Sequence, residues 1–484
     1  MRAAWTATLG ATMNNLVIDL THGGVKIAIS LAKNGRSVLA YDLYGTLDDL
    51  DEKMLQIYGV EIIRLEDLTQ FKGDMNVIYP IHMPVSFDDI KSYNPDLKYT
   101  FQSHHEAIMD LLDDWGDDII KIEVTGVKGK TTSVFMLKEI LIDENPLILS
   151  SLGALLYENE KEIVLKKDIS IAPANIKETI DLAYKIANPV CFIANGTVES
   201  ENLRKYNSAI FESSLGVSGI GDVGLLLNIA EDYPIAQNRS SASEAKSQVF
   251  RCGCVCIQKE AFDTYYSDVK HDKTNTFSLS DKSANLFVKS ADYSLNQTRL
   301  ELSYDNVKTV NDNVISGEIE INCFAPGPHH ASNVLGVVLT CLSLEIDSNK
   351  IIRGLENYKG IPGRTTKKTM GNSIIIEEIN PGLNTQAIKE SINMIGNLDE
   401  YYVSIGGDYG ITCEEIDEEK LADYLNGIET DIILTGDVGR SISSKLTAKY
   451  EYYENPSDVY DLATSNDKNL LFIYRSDYRK LSQR

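Results

Sequence analysis

Glu123-Val124-Thr125-Gly126-Val127-Lys128-Gly129-Lys130-Thr131-Thr132 is the stretch on which the fold turns. It follows an apolar alternation, Ile120, Ile122 and Val124, that predicts a strand over Ile119–Val124. It precedes a segment with Val134, Leu137 and Leu141 on one helical stripe. Glycines at Gly126 and Gly129 let the backbone curl so that successive N–H groups converge on phosphate oxygens, and the helix start adds its positive end. Lys130 is then placed to neutralise terminal phosphates, and the Thr131 hydroxyl to ligate Mg²⁺. The usual phosphate-loop spacing has glycine where Val124 stands, so this is a compact G-x-x-G-K-T-T variant. Read plainly, it is a nucleotide site.

Outward from the loop the chain reads as three α/β segments. On the N-terminal side, Leu16–Leu20, the turn Thr21-His22-Gly23-Gly24, an apolar helix to Ala32, Asn34-Gly35 and Ser37–Asp42 form a Rossmann-like half. It lacks G-x-G-x-x-G. Further strands are expected at Val60–Arg64, Met75–Ile81 and Tyr99–Phe101. On the C-terminal side, strands are expected at Val190–Ala194, Ser208–Glu212 and Val223–Ile229. Alternation then dominates to Ile321, with strands at Ala284–Val288, Thr298–Tyr304 and Ser316–Ile321, before helical periodicity at Ala331–Leu344. A link at Gly360-Ile361-Pro362-Gly363 leads to strands at Ser373–Glu377, Tyr402–Ile405 and Asp431–Leu434. The expected division is a disordered leader 1–13, a substrate-binding domain 14–117, an ATP-binding domain 118–359 and a C-terminal domain 360–484.

The charge narrows the partners. A net charge of −25 over 484 residues repels nucleic acid and anionic membrane surfaces. An anionic substrate then needs a local basic pocket or bound cations. No apolar run approaches the roughly 20 residues of a membrane span, and the leader is a poor signal peptide. Seven cysteines in so long a chain do not make a disulfide framework. Cys252, Cys254 and Cys256 fall in an alternating stretch, Phe250–Gln258, that reads as a strand with three thiols on one face. Metal binding there is the weaker reading, because such sites usually need turns and more ligands. The expected setting is reducing and cytoplasmic.

The loop variant is how the Mur ligases and folylpolyglutamate synthetases write their ATP site, usually with Asn at the position of Lys128. The resemblance continues in order along the chain. Phe211-Glu212-Ser213-Ser214 is similar to the family's E-x-S-S segment, Asn228 with Glu231-Asp232-Tyr233 to its N-x-x-x-D-H stretch, and Ala245-Lys246 to its A-K dipeptide. Gly327-Pro328-His329-His330-Ala331-Ser332-Asn333 resembles the segment around adenine, and Gly363-Arg364 the G-R opening the last domain. Tyr233 stands where a metal-side histidine is usual, and His330 where asparagine is usual. The resemblance implies a three-domain ligase that activates a carboxylate as an acyl phosphate with ATP and Mg²⁺. Catalytic roles then fall on Lys130, Glu212, Lys246 and Arg364. Thr131, Glu212 and a carbamylated Lys246 are the implied Mg²⁺ ligands. Gly126, Lys128, Gly129, Lys130, Thr131, Thr132, Asn228, Arg364 and either His330 or Asn333 are the implied ATP contacts. A carboxylate and a γ-phosphate repel strongly at contact, and this cationic set offsets the repulsion.

Other stretches set the chain apart from peptidoglycan enzymes: Asp19–Gly24, Asp42-Leu43-Tyr44-Gly45-Thr46, His82, His104-His105, Glu377–Asn384 and Gly406–Glu415. Together they resemble the archaeal branch of the family that acts on a nickel tetrapyrrole, the coenzyme F430 synthetases. That implies a propionate activated on the seco-precursor and closed onto a ring-adjacent carbon. His22, Gly23, Gly24, His82, His104 and His105 are the implied substrate contacts. Nothing in the sequence selects the base. The alternatives are an amide-forming ligase, such as a pseudomurein peptide ligase, or a nucleotide-gated tetrapyrrole carrier. The expected state is a monomer or weak dimer.

Overall fold

The computed structural model describes residues 13–187, 205–295, 297–361, 364–380, 383–395, 400–409 and 416–476. The leader before Met13, the strand expected at Val190–Ala194, Pro362-Gly363 of the link, and Gly410–Glu415 lie outside the described residues. The chain forms two compact units: residues 1–289, 301–319 and 332–354, and residues 290–300, 320–331 and 355–484.

In the first unit, the N-terminal sheet is all parallel, in the order Glu61–Ile62, Ser37–Tyr41, Asn14–Ile18, Asp74–Tyr79, Lys98–Ser103. Helices cover both faces of such a sheet, which is why its central strand reads as an unbroken apolar run. Leu16, Val17 and Ile18 are all fully buried. The helix Val25–Lys33 packs Ile27 and Ala28 inward and stops at Asn34-Gly35, where Gly35 takes a left-handed φ of 74°. The three strand C-termini deliver the turns that carry Asp19-His22, His82 and His104-His105.

The second sheet of this unit has at its centre the parallel strands Val223–Leu226, Ile120–Thr125, Ser208–Glu212 and Leu147–Ser150. The quoted loop leaves the C-terminal end of Ile120–Thr125 with a strand on either side. A hairpin, Gly153–Glu158 and Lys161–Lys166, closes one edge antiparallel; the sequence pattern gave no sign of it. In the other direction come Cys254–Gln258, Thr274–Ser278, Leu286–Asp292, Thr298–Lys308 and Val314–Cys323. The expected strand at Phe250–Gln258 is shorter, because Ser247–Arg251 winds as 3₁₀ helix. Cys252 consequently leaves the strand. The thiols of Cys252 and Cys256 point to different partners, Glu123 and Ser343, and burial pushes both upward, away from the thiolate a metal needs.

The second unit carries a six-stranded sheet: Arg364–Met370, Ser373–Ile379, Asn469–Arg475, Tyr401–Gly407, Asp431–Thr435, Tyr450–Tyr453. Only its first pair is antiparallel. Among the described residues no helix is long and apolar enough to cross a membrane.

Candidate functional site

Two features of the first unit bear chemistry, and one short segment joins them. The phosphate loop is held open by its own geometry. Gly126 and Gly129 adopt φ of 144° and 85°, values that favour glycine, and a Cβ on Gly129 would overlap the Asn333 side chain. Asn228 clamps the loop from both directions: its Oδ1 accepts from Lys128 N at 3.1 Å and its Nδ2 donates to Lys128 O at 3.0 Å. Val127 N donates to Asn228 O at 3.1 Å. The amide of Asn228 is therefore engaged with the loop backbone. Lys130 Nζ turns back over the loop, donating to Gly126 O at 3.1 Å and Val127 O at 3.4 Å. The helix Lys130–Ile140 starts here with its first amides facing the loop.

Behind the loop, Glu212 ends its strand almost fully buried. Its Oε1 accepts from Thr131 Oγ1 at 3.1 Å and its Oε2 from Ser151 N at 3.0 Å, while the Thr131 and Ser151 hydroxyls lie 3.0 Å apart. Hydroxyls and a carboxylate are hard oxygen donors, a set that suits Mg²⁺ and not a thiophilic metal. Ser151 was not singled out from the sequence; it follows a strand as an unremarkable serine, and only the register of Leu147–Ser150 beside Ser208–Glu212 brings it to the acid.

Lys246 is fully buried, not an exposed helix lysine. Its Nζ donates to Ser214 O at 2.5 Å. Burial, with the nearby charge of Lys130, draws its amine down to about 7 against the opposing pull of Asp232. An amine that sheds its proton near neutrality can react with carbon dioxide, as carbamylation requires. Asp232 anchors the helix Ala242–Lys246 by accepting from Ser243 N at 2.8 Å and Ser243 Oγ at 2.7 Å.

The second feature is a cavity of about 300 Å³ whose walls include His22, His82, His104 and His105 alongside Ile81, Ile171, Pro173, Ser214 and Leu215. The four histidines converge from three separate turns, and they differ in kind. His104 Nε2 is hydrogen-bonded to Ile18 O at 2.9 Å, and burial draws its pKa to about 4. Burial draws His105 to about 3. Both are neutral rings at physiological pH. His22 and His82 remain partly exposed and share the carboxylate of Asp19, which is completely buried. Gly24 is required here, since a Cβ would collide with the Asp19 carbonyl, and a Cβ on Gly23, at φ 103°, would lie 2.6 Å from Ala174 Cβ. The segment from Glu212 to Leu215 thus runs from the buried acid beside Thr131, past the carbonyl that holds Lys246, into the cavity wall.

In the second unit, Arg364 begins its strand opposite Glu378. Burial raises Glu378 to about 7, although hydrogen bonds from Thr365 and the charge of Arg364 pull the other way. Thr365 donates to Glu378, and His330 Nε2 pairs with the Thr365 hydroxyl at 2.9 Å. His330 is buried, its Nδ1 has no partner among the described residues, and its pKa is well below the usual value.

Comparison with known proteins shows what the chain is similar to. The family description "Coenzyme F430 synthetase CfbE, C-terminal domain" matches residues 367–477. The coenzyme F(430) synthetase of Methanocaldococcus jannaschii is 27% identical over 455 residues, spanning 91% of this chain and 95% of that protein. That of Methanosarcina acetivorans is 24% identical over 453 residues, spanning 89% and 91%. Among solved structures, the MurF ligase of Thermotoga maritima in complex with ADP gives a TM-score of 0.53 at 11% identity, covering 86% of this chain and 94% of that one. The fold is the three-part Mur ligase architecture.

Proposed function

We propose that this Mur-ligase-like chain, similar to coenzyme F430 synthetases over most of its length, is an ATP-dependent ligase that closes a carbocycle on a nickel tetrapyrrole seco-precursor. In the first step a propionate oxygen attacks the γ-phosphorus of ATP, giving an acyl phosphate and ADP. In the second, a ring-adjacent carbon loses a proton and attacks the acyl carbon, and phosphate leaves. The product is the seco-precursor less one water.

The observation that carries this reading is the segment 212–215, which links the acid beside Thr131 to the wall of a largely apolar, histidine-lined cavity. A macrocycle seated there presents its carboxylate toward the phosphate loop. Lys130 and the loop amides orient the triphosphate and offset charge as the phosphoryl group moves. Thr131, Glu212 and a carbamylated Lys246 are the residues to hold Mg²⁺, which when bound neutralises phosphate charge. By the resemblance in sequence, Arg364 is a further phosphate-binding cation, with His330 or Asn333 at the adenine. Peptidoglycan-type amide formation would use the same ATP half with an amine as second substrate.

Incubation of the protein with ATP, Mg²⁺ and the nickel seco-precursor tests the reading. The expected result is ADP release with a product lighter by one water. ATP hydrolysis stimulated by free amino acids, with the tetrapyrrole unchanged, would replace it with the amide-forming alternative.

A further inference from the structure

The ring-closing step needs a group that accepts a proton from carbon, and the cavity distinguishes among its four histidines. Among the described residues lining it, these are the only titratable side chains. His104 and His105 are buried and neutral, and His104 has its Nε2 committed to a backbone carbonyl. His22 is differently placed. Its Nδ1 lies 2.7 Å from Asp19 Oδ2, and its side chain is 49% exposed against 0% for Asp19. An ionised carboxylate on Nδ1 fixes the proton there and leaves the lone pair on Nε2.

Asp19 is built for this purpose at some conformational cost. It sits at the end of strand Asn14–Ile18 with φ 71°, a left-handed conformation unusual for a non-glycine residue. Its Oδ1 accepts from Thr21 N at 3.0 Å and His22 N at 3.3 Å, so both carboxylate oxygens are occupied and the His22 turn is tied to the acid. Burial alone would raise its pKa, but the neighbouring His82 and His22 rings outweigh it and keep the acid ionised. His82 Nε2 stands 3.6 Å from Oδ2, and its ring meets that of His22 edge-on at 4.8 Å between centroids.

We propose that His22, positioned by Asp19 and braced by His82, is the catalytic base that takes the proton from the attacking carbon. This rests on the ring-closing reading above. The C–H proton passes to His22 Nε2, and the freed electron pair forms the bond to the acyl carbon. The acyl carbon–oxygen bond breaks, and phosphate leaves with its electrons. The resulting imidazolium lies against the Asp19 carboxylate and returns its proton to solvent through its exposed edge.

The test separates the two half-reactions. Trapping with hydroxylamine reports the acyl phosphate, product mass reports closure, and deuterium uptake by the seco-precursor in deuterium oxide without ATP reports proton abstraction alone. For His22→Gln, closure is expected to fall by about 10²–10⁴-fold, the usual contribution of a general base. Hydroxamate should still form, which also shows the variant is folded, and deuterium uptake should disappear. Asp19→Asn should behave similarly but less severely, and added imidazole should partly restore His22→Gly. Three results would overturn the assignment: closure by His22→Gln near the wild-type rate, loss of hydroxamate in step with closure, or a stoichiometric metal in the purified protein that Asp19→Asn releases. The three donor atoms lie within 4.8 Å of one another, so that last outcome is physically open. If the wild-type protein itself gives neither hydroxamate nor product, the substrate reading fails first and the base assignment falls with it.

Discussion

The phosphate loop and the histidine cavity are built on opposite plans within one unit. The loop offers backbone amides from consecutive residues, so ten adjacent residues suffice, and Asn228 needs only to hold them in place. The cavity gathers side chains from the ends of three parallel strands and borrows a wall from the neighbouring sheet at residues 170–173 and 214–215. A contiguous loop tolerates little change, since each glycine has a geometric task. A dispersed cavity can be altered one turn at a time.

The contrast can be tested from its strongest consequence downward. Lys130→Ala should lower ATP turnover by about 10²–10³-fold, in line with loss of one charge-stabilising donor, while tetrapyrrole binding measured by absorbance titration is retained. Loss of both would merge the two regions into one. Lys246→Ala should also abolish turnover, and wild-type activity should fall on removal of carbon dioxide and recover with bicarbonate. Gly129→Ala forces a side chain into left-handed backbone beside Asn333, so stability by denaturant titration should drop by about 1–3 kcal/mol, with weaker ATP binding.

The smallest effect concerns pH. His104 titrates near 6.5 when unfolded and at about 4 when folded, so between these values the unfolded chain binds more protons. Its contribution to stability is complete above pH 6.5 and is lost as pH falls through about 4. His105 adds to the same slope through its own burial. His105→Gln should flatten the fall in melting temperature across this range, and an unchanged slope would show that the cavity histidines are not the source.

How much was legible follows the same division. The loop, its strand and its helix could be read directly, because phosphate recognition by backbone demands a fixed order of Gly, Lys and Thr. The apolar cores of the parallel strands were equally plain, since burial on both faces leaves uninterrupted runs such as Leu16-Val17-Ile18. The hairpin at Gly153–Lys166 escaped notice because its turn is carried by Asn159 and Glu160 at φ of 51° and 66°, and glutamate is not a turn signal. The alternation at Cys252–Cys256 overstated a strand, because a 3₁₀ turn uses the same apolar residues. In the cavity, the histidines were visible as residues at strand ends. Their differences were not: only the fold reveals that Asp19 sits under His22 and His82 while His104 and His105 are sealed away.

The central claim is that a carboxylate held in the histidine cavity receives the phosphoryl group gripped by the loop. It is tested most directly by labelling the seco-precursor's propionate with heavy oxygen and weighing the inorganic phosphate released in a single turnover. One labelled oxygen per phosphate is the predicted result, because the oxygen that attacks phosphorus departs with it. Phosphate carrying no label while ring-closed product accumulates would contradict the account.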